Sequence, residues 1–159
     1  MMKFGTIGIA ILIMAGCDSS GVSDTNETII ASGVKTMAQT EPDTQEWGDF
    51  RAFFTGDTHG LKGALAGTAD IKAGSQIHPP HRHADEEFLI VTAGSGTWHL
   101  NGKDYPAKAG DVLYSAPWDY HGVKAAPDSP LQFFVVKFSA KGVKPAVDPD
   151  PSLPEELSE

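Results

Sequence analysis

Between residues 46 and 141 short apolar runs alternate with Gly, Pro and Asn, and no helical stripe persists. That pattern predicts strands and tight turns, hence an all-β sandwich or barrel. Phe50 to Phe54 reads as one strand. Leu65, Gly67, Ala69 and Ile71 alternate with polar or small residues and predict another, closed by Gly74. Phe88 to Thr92 is apolar and β-branched; Ala93-Gly94-Ser95-Gly96 reads as a turn behind it, with Thr97 to Leu100 returning. Asn101-Gly102 is a strong hairpin signal, because such turns need positive φ. Gly110-Asp111 opens the run Val112-Leu113-Tyr114, and Phe133 to Phe138 is the last strand, with Phe134, Val136 and Phe138 sharing a face. Thr28 to Val34 is a candidate edge strand. No internal repeat suggests a second barrel.

The flanks read differently. A chain of 159 residues fits one domain plus tails. Lys3 precedes an uncharged apolar run from Phe4 to Met14, and Ala15 and Gly16 are small residues before Cys17, the pattern of a secretory signal peptide. The run falls short of the ~20 apolar residues a membrane span needs. Met14-Ala15-Gly16-Cys17 resembles a bacterial lipobox. That resemblance implies that residues 1–16 are removed and that Cys17 is lipidated. The protein would then be anchored in a bacterial membrane, facing the periplasm or the exterior. Residues 17–45, with many Ser, Thr, Asp and Gly, read as a flexible tether. Residues 46–141 form the domain. Residues 142–159 carry Pro145, Pro149, Pro151 and Pro154 among acids and read as a disordered, acidic, Pro-rich tail.

Composition narrows the partners. The net charge of −9 disfavours nucleic acid and anionic membrane surfaces. Cys17 is the sole cysteine, so no internal disulfide forms. There is no phosphate loop, no basic patch and no Ser-His-Asp arrangement.

The chemistry concentrates in His81-Arg82-His83-Ala84-Asp85-Glu86-Glu87 and in His121. In extended chain His81 and His83 point the same way and Arg82 points away. Ala84-Asp85-Glu86 can turn the chain so that Glu87, opening the next strand, comes back beside them. His121 is distant in sequence, so a closed barrel has to deliver it. Three imidazoles and a carboxylate can hold one divalent transition metal: Fe, Mn, Zn, Ni or Cu. Glu86 is out of register with Glu87 and faces the other side. His78, before Pro79-Pro80, reads as a rim residue with a possible substrate role, whereas His59 and His99 read as ordinary surface residues.

Gly74, His81-x-His83, Glu87 and Gly94, followed by Gly110 and His121, resemble the two motifs of the small single-domain cupins. The resemblance covers about residues 65 to 138. In the second motif it departs at Pro117, which is displaced, at Trp118, where Gly is common, and at Ala125, where Asn is usual. It implies a single small antiparallel β-barrel, jelly-roll-like, with His81, His83, Glu87 and His121 as metal ligands. It also implies an apolar lining, for which Leu89, Val91, Trp98, Leu100, Phe134 and Val136 are the candidates, and a homodimer. Trp98 and Tyr114 could stack on or hydrogen-bond a ligand. The implied activity is inner-sphere metal chemistry on a small molecule, of oxygenase, isomerase or lyase type. Glu87 or Tyr114 would be the catalytic base, and His78, Trp98 and Phe134 would belong to the substrate pocket. The alternative is a non-catalytic binding or sensing module.

Overall fold

The structure, a computed structural model, describes residues 29–158. Cys17, the leader before it and the first part of the tether lie outside the described residues. Among the described residues no helix is long and apolar enough to cross a membrane.

A single turn of 3-10 helix at Met37–Gln39 precedes eight strands. They are β1 (Asp43–Gln45), β2 (Gly48–Gly56), β3 (Leu61–Ile71), β4 (Glu86–Leu100), β5 (Lys103–Lys108), β6 (Val112–Ser115), β7 (His121–Ala125) and β8 (Leu131–Ala140). All pairings are antiparallel, in the order β1-β2-β3-β8-β4-β5, with β6 and β7 also on β4. The expected all-β architecture is therefore present. β4 is its spine. Its first half pairs with β8 and β6, its second with β5 and β7. One strand thus serves two sheets, whose inner faces share a single core from Ala69 and Ile71 through Val91 and Trp98 to Leu131 and Val135.

The expected turn at Ala93 to Gly96 does not exist; β4 continues through it as one strand. A register shift between Val91 and Ala93 makes a bulge, which bends a strand and strengthens its twist. Gly94 has φ 75°, and a Cβ there would lie 1.8 Å from the Pro130 carbonyl oxygen. At Gly96 a Cβ would lie 2.1 Å from the Lys124 oxygen. These glycines permit close backbone approach where the strand passes between sheets, which local sequence cannot distinguish from a turn. The Asn101-Gly102 hairpin is present, with φ of 48° and 76°.

Side-chain alternation sets the two faces. Along β4 Glu87, Leu89 and Val91 are buried, while Phe88 and Thr92 are exposed. Along β8 Leu131, Phe133 and Val135 are buried. Phe134, Val136 and Phe138 therefore lie on the outer face, not in the lining. The stretch is apolar on both faces, so its own pattern is silent about direction. Pairing of Phe133 with Ala69 on one side and Val91 on the other decides it.

The described parts of both flanks contact the barrel. Within the tether β1 pairs with β2, and Ile30 N donates to Asp57 O at 2.7 Å. The edge strand expected at Thr28 to Val34 is reduced to one bridge, Ile29 to Asp57. The acidic tail, expected to be disordered, packs back on the barrel. Trp118 Nε1 donates to Ala146 O at 2.9 Å, Arg82 N to Glu155 O at 2.8 Å and Leu157 N to Pro80 O at 2.9 Å. Its side chains are mostly exposed; its backbone polar groups and Arg82 hold it.

Candidate metal centre

The two ligand segments meet through their backbones. His81 N donates to His121 O at 3.0 Å and His121 N to His81 O at 2.9 Å. This antiparallel bridge seats the start of β7 beside the irregular segment before β4. Trp118 N donates to His83 O at 2.7 Å and ties the second loop to the first. Trp118 has φ 70°, in the left-handed region that favours glycine. The tight loop is thus kept here with a side chain that pays some backbone strain.

His81, His83 and His121 present ring nitrogens that lie within 4.8 Å of one another. Glu87 faces two of them: Oε2 is 3.5 Å from His83 Nε2 and Oε1 is 3.5 Å from His121 Nε2. Glu87 is 8% exposed and His121 1%. The opposite ring nitrogens are fixed. His83 Nδ1 donates to Asp85 O at 3.1 Å and His121 Nδ1 to Asp119 O at 2.8 Å. A carbonyl can only accept, so each Nδ1 carries the proton and each Nε2 of a neutral ring keeps its lone pair. Those Nε2 atoms, and His81 Nδ1, are buried without any hydrogen-bond partner.

Orphaned buried nitrogens are costly. Three converging on one point, beside a carboxylate, fit a cation as their missing partner. Atoms bonded at roughly 2.1 Å to one ion stand about 3.4 Å apart in tetrahedral geometry; the two Glu87 contacts are near that spacing, and the three ring nitrogens lie within a wider 4.8 Å. Protonation also favours metal loading. Burial, then the neighbouring His78, His121 and His83, push His81 down to about 3, against the opposing pull of Glu87. Burial pushes the Glu87 carboxyl up, but His121 and His83 in their protonated forms outweigh that and hold it at about 2. At neutral pH His81 is a neutral donor and Glu87 an anion, the forms that binding a metal requires.

The centre opens on a cavity of about 420 Å³, walled by Trp47, Phe50, Ile77, Leu89, Phe133 and Val135, with Asp43, His78 and Lys137 as polar members. His78 lines the cavity, its ring centroid 4.1 Å from that of His81. Phe134 does not reach the cavity; Phe133 does. Trp98 is core, 4% exposed, paired to Tyr105 and Val123 and absent from the cavity wall. Tyr114 is the clearest correction. It is 44% exposed, stacked on Phe88 on the outer face at 4.8 Å, and donates to Glu86 Oε2 at 2.8 Å. That bond pushes its pKa up, and its phenol lies outside the cavity, so it is no base for chemistry there. The same contact shows Glu86 facing outward. Asp85 is engaged by the Ser139 hydroxyl and by Lys137 at 3.9 Å.

Lys137 and Phe133 are among the inward residues that sequence reasoning missed. Lys137 pairs directly across from Glu87. Alternation counted from Glu87 across that pair would have found it. Trp47 and Phe50 enter from β2 and the turn before it, which no local motif marks.

A family model described as a Cupin domain matches residues 67–137, a stretch that contains His81, His83, Glu87 and His121. Among curated proteins, the chain is 37% identical over 57 residues to an oxalate-binding protein of Thermotoga maritima, covering 35% of this chain and 47% of that one. It is 30% identical over 102 residues to a dimethylsulfoniopropionate lyase of Ruegeria pomeroyi, covering 63% and 64%. The match thus spans about half to under two thirds of these relatives' lengths. Among solved structures, a cupin of Shewanella frigidimarina superposes with TM-score 0.57 at 18% identity, covering 69% of this chain and 93% of that one. The matched segment, the shared fold and the two-sheet barrel together support a small cupin, with the three histidines set inside its motif-bearing half.

Proposed function

We propose that the protein holds one divalent transition metal between His81, His83, Glu87 and His121 and acts on a small molecule bound in the adjoining cavity. The carrying observation is the convergence of three partnerless buried ring nitrogens with a carboxylate 3.5 Å from two of them. A bound ion would supply Lewis-acid polarisation of a substrate oxygen. The chain supplies the rest. Phe50, Leu89, Phe133 and Val135 give the cavity an apolar wall for the carbon skeleton of a substrate, and Lys137 offers a positive charge to a substrate carboxylate. Glu87 lines the cavity and, on leaving the metal transiently, is the base available for isomerase- or lyase-type proton transfer. His78 edges the same wall and is placed to orient the substrate. The relative named as oxalate-binding supports a small oxygen-rich ligand; the relative named as a lyase supports turnover.

A second reading is a binding or sensing module without turnover. It is favoured by the position of Tyr114, which leaves the cavity no tyrosine base. Under either reading the lipobox resemblance at Cys17 supports a lipid-anchored protein of the cell envelope, and the cupin fold supports a homodimer.

The test is elemental analysis of the full chain against His81→Ala and His121→Ala. Near one equivalent of transition metal in the wild type, lost in both variants, is expected. Substoichiometric metal after loading with Fe, Mn, Zn, Ni and Cu in turn would sink the metal reading. Product analysis and oxygen uptake with small carboxylates, diketones and sulfur compounds then separate enzyme from binder.

A further inference from the structure

A buried arginine sits between two of the proposed ligands. Arg82 points away from the cavity, and its side chain is 2% exposed. Its guanidinium forks onto Asp148, Nη1 to Oδ1 at 3.0 Å and Nη2 to Oδ2 at 2.9 Å. Nη2 also donates to the carbonyls of Asp150 at 2.8 Å and Leu153 at 3.1 Å, and Nε to Pro154 O at 3.3 Å. The rings of Trp118 and Tyr120 each lie 5.5 Å from the guanidinium carbon, and the Tyr120 hydroxyl donates to Pro154 O. Every hydrogen-bond acceptor of this side chain belongs to residues 148–154.

A guanidinium is tolerated in the interior only when its charge is paired and its N–H groups are satisfied. Here the acidic tail does both. The tail also extends the backbone ladder. His81 is bridged to His121 on one side and to Glu156 on the other, through Arg82 N to Glu155 O and Leu157 N to Pro80 O. The irregular segment that carries His81 and His83 is thus the middle rung between β7 and the tail.

We propose that residues 146–157 form a strap that positions His81 and His83, with the Arg82–Asp148 pair as its lock. Arg82 is a positioning residue, and the inference rests on the metal site proposed above. Ligands flanking Arg82 share its backbone, so releasing it frees both to reorient, and the ordering they then lose must be supplied by the metal. Partners that orient ligands typically account for about 10–100-fold in metal affinity.

Cobalt(II) titration of the full chain, followed by its visible ligand-field band, tests this. Asp148→Ala and Leu157→Pro break the lock and the ladder separately, far from the core. Each is expected to weaken cobalt affinity by roughly 10–100-fold, to alter the band, and to speed proteolytic cleavage within the tail. Arg82→Lys is expected to retain more affinity than Arg82→Ala. Variants whose tail is cleaved faster but whose affinity and band match the wild type would overturn the strap. A tail that stays protected in both variants would overturn it equally. If the wild type takes up no cobalt, nor any other ion tried, the metal reading fails first and the strap with it.

Discussion

The two faces of β4 and β8 carry similar residues and do different work. Inward stand Glu87, Leu89 and Val91 opposite Phe133, Val135 and Lys137; outward stand Phe88 and Ile90 opposite Phe134, Val136 and Phe138. Both faces hold phenylalanine, both hold branched aliphatics, and the two neighbouring glutamates divide one to each face. Yet the inner set builds a core and faces the candidate metal site, while the outer set stacks Phe88 on Tyr114 and ends Glu86 on a phenol. Residue type is therefore not what makes a site here. Phase along the strand is.

The sharpest contrast should come from neutralising the two glutamates one at a time. Glu87→Gln removes the anion facing His83 and His121, and metal affinity should fall by on the order of tenfold or more; Glu86→Gln should leave it unchanged. Equal losses by calorimetric titration would erase the distinction between faces. Next, Phe133→Ala should cost about 3–5 kcal/mol in urea unfolding, as a large buried aromatic does. Phe134→Ala, half-buried outside, should cost about 1 kcal/mol. The reverse order would mean that β8 is paired one residue out of register.

Acid should act through the inner face. An unfolded chain protonates His81 near its ordinary 6.5, while the folded site resists until about 3, so the unfolded state binds more protons across that window. Stability of the metal-free protein should therefore fall as pH drops from about 6.5 towards 3. Glu87 adds to the loss between its ordinary 4.5 and about 2, because its ionised form is the one stabilised by folding. His81→Ala should flatten the upper part of the profile; an unchanged profile would show that His81 is not shielded. The smallest effect belongs to Tyr114→Phe. Its surface bond to Glu86 should contribute under about 0.5 kcal/mol, with metal binding untouched. Impaired metal binding or turnover in that variant would return Tyr114 to the site.

Much of this centre was legible in advance. His81 and His83 share a face because alternate residues do, and Glu87 rather than Glu86 follows from the same parity. His121 could be nominated by motif spacing, although only the backbone bridge to His81 shows how it arrives. The differences have two causes. Residue type nominates Phe134, Trp98 and Tyr114 for the cavity, yet type alone says nothing about which way a side chain points. Ala93 to Gly96 was read as a turn because glycine serves both turns and close approaches, and only the neighbouring Pro130 and Lys124 backbones tell them apart.

The sequence by itself determined the local matters: strand over helix, the Asn101-Gly102 hairpin, and the parity of His81, His83 and Glu87. These depend on φ preferences and on a two-residue period, which operate within a few residues. Tertiary structure alone decided which face of β8 became interior, how β4 came to serve two sheets, and that an acidic tail without apolar periodicity would pack at all. Those outcomes depend on pairing between segments far apart in the chain. The tail shows it best: its anchor is one arginine more than sixty residues away, and no local pattern records a partner at that distance.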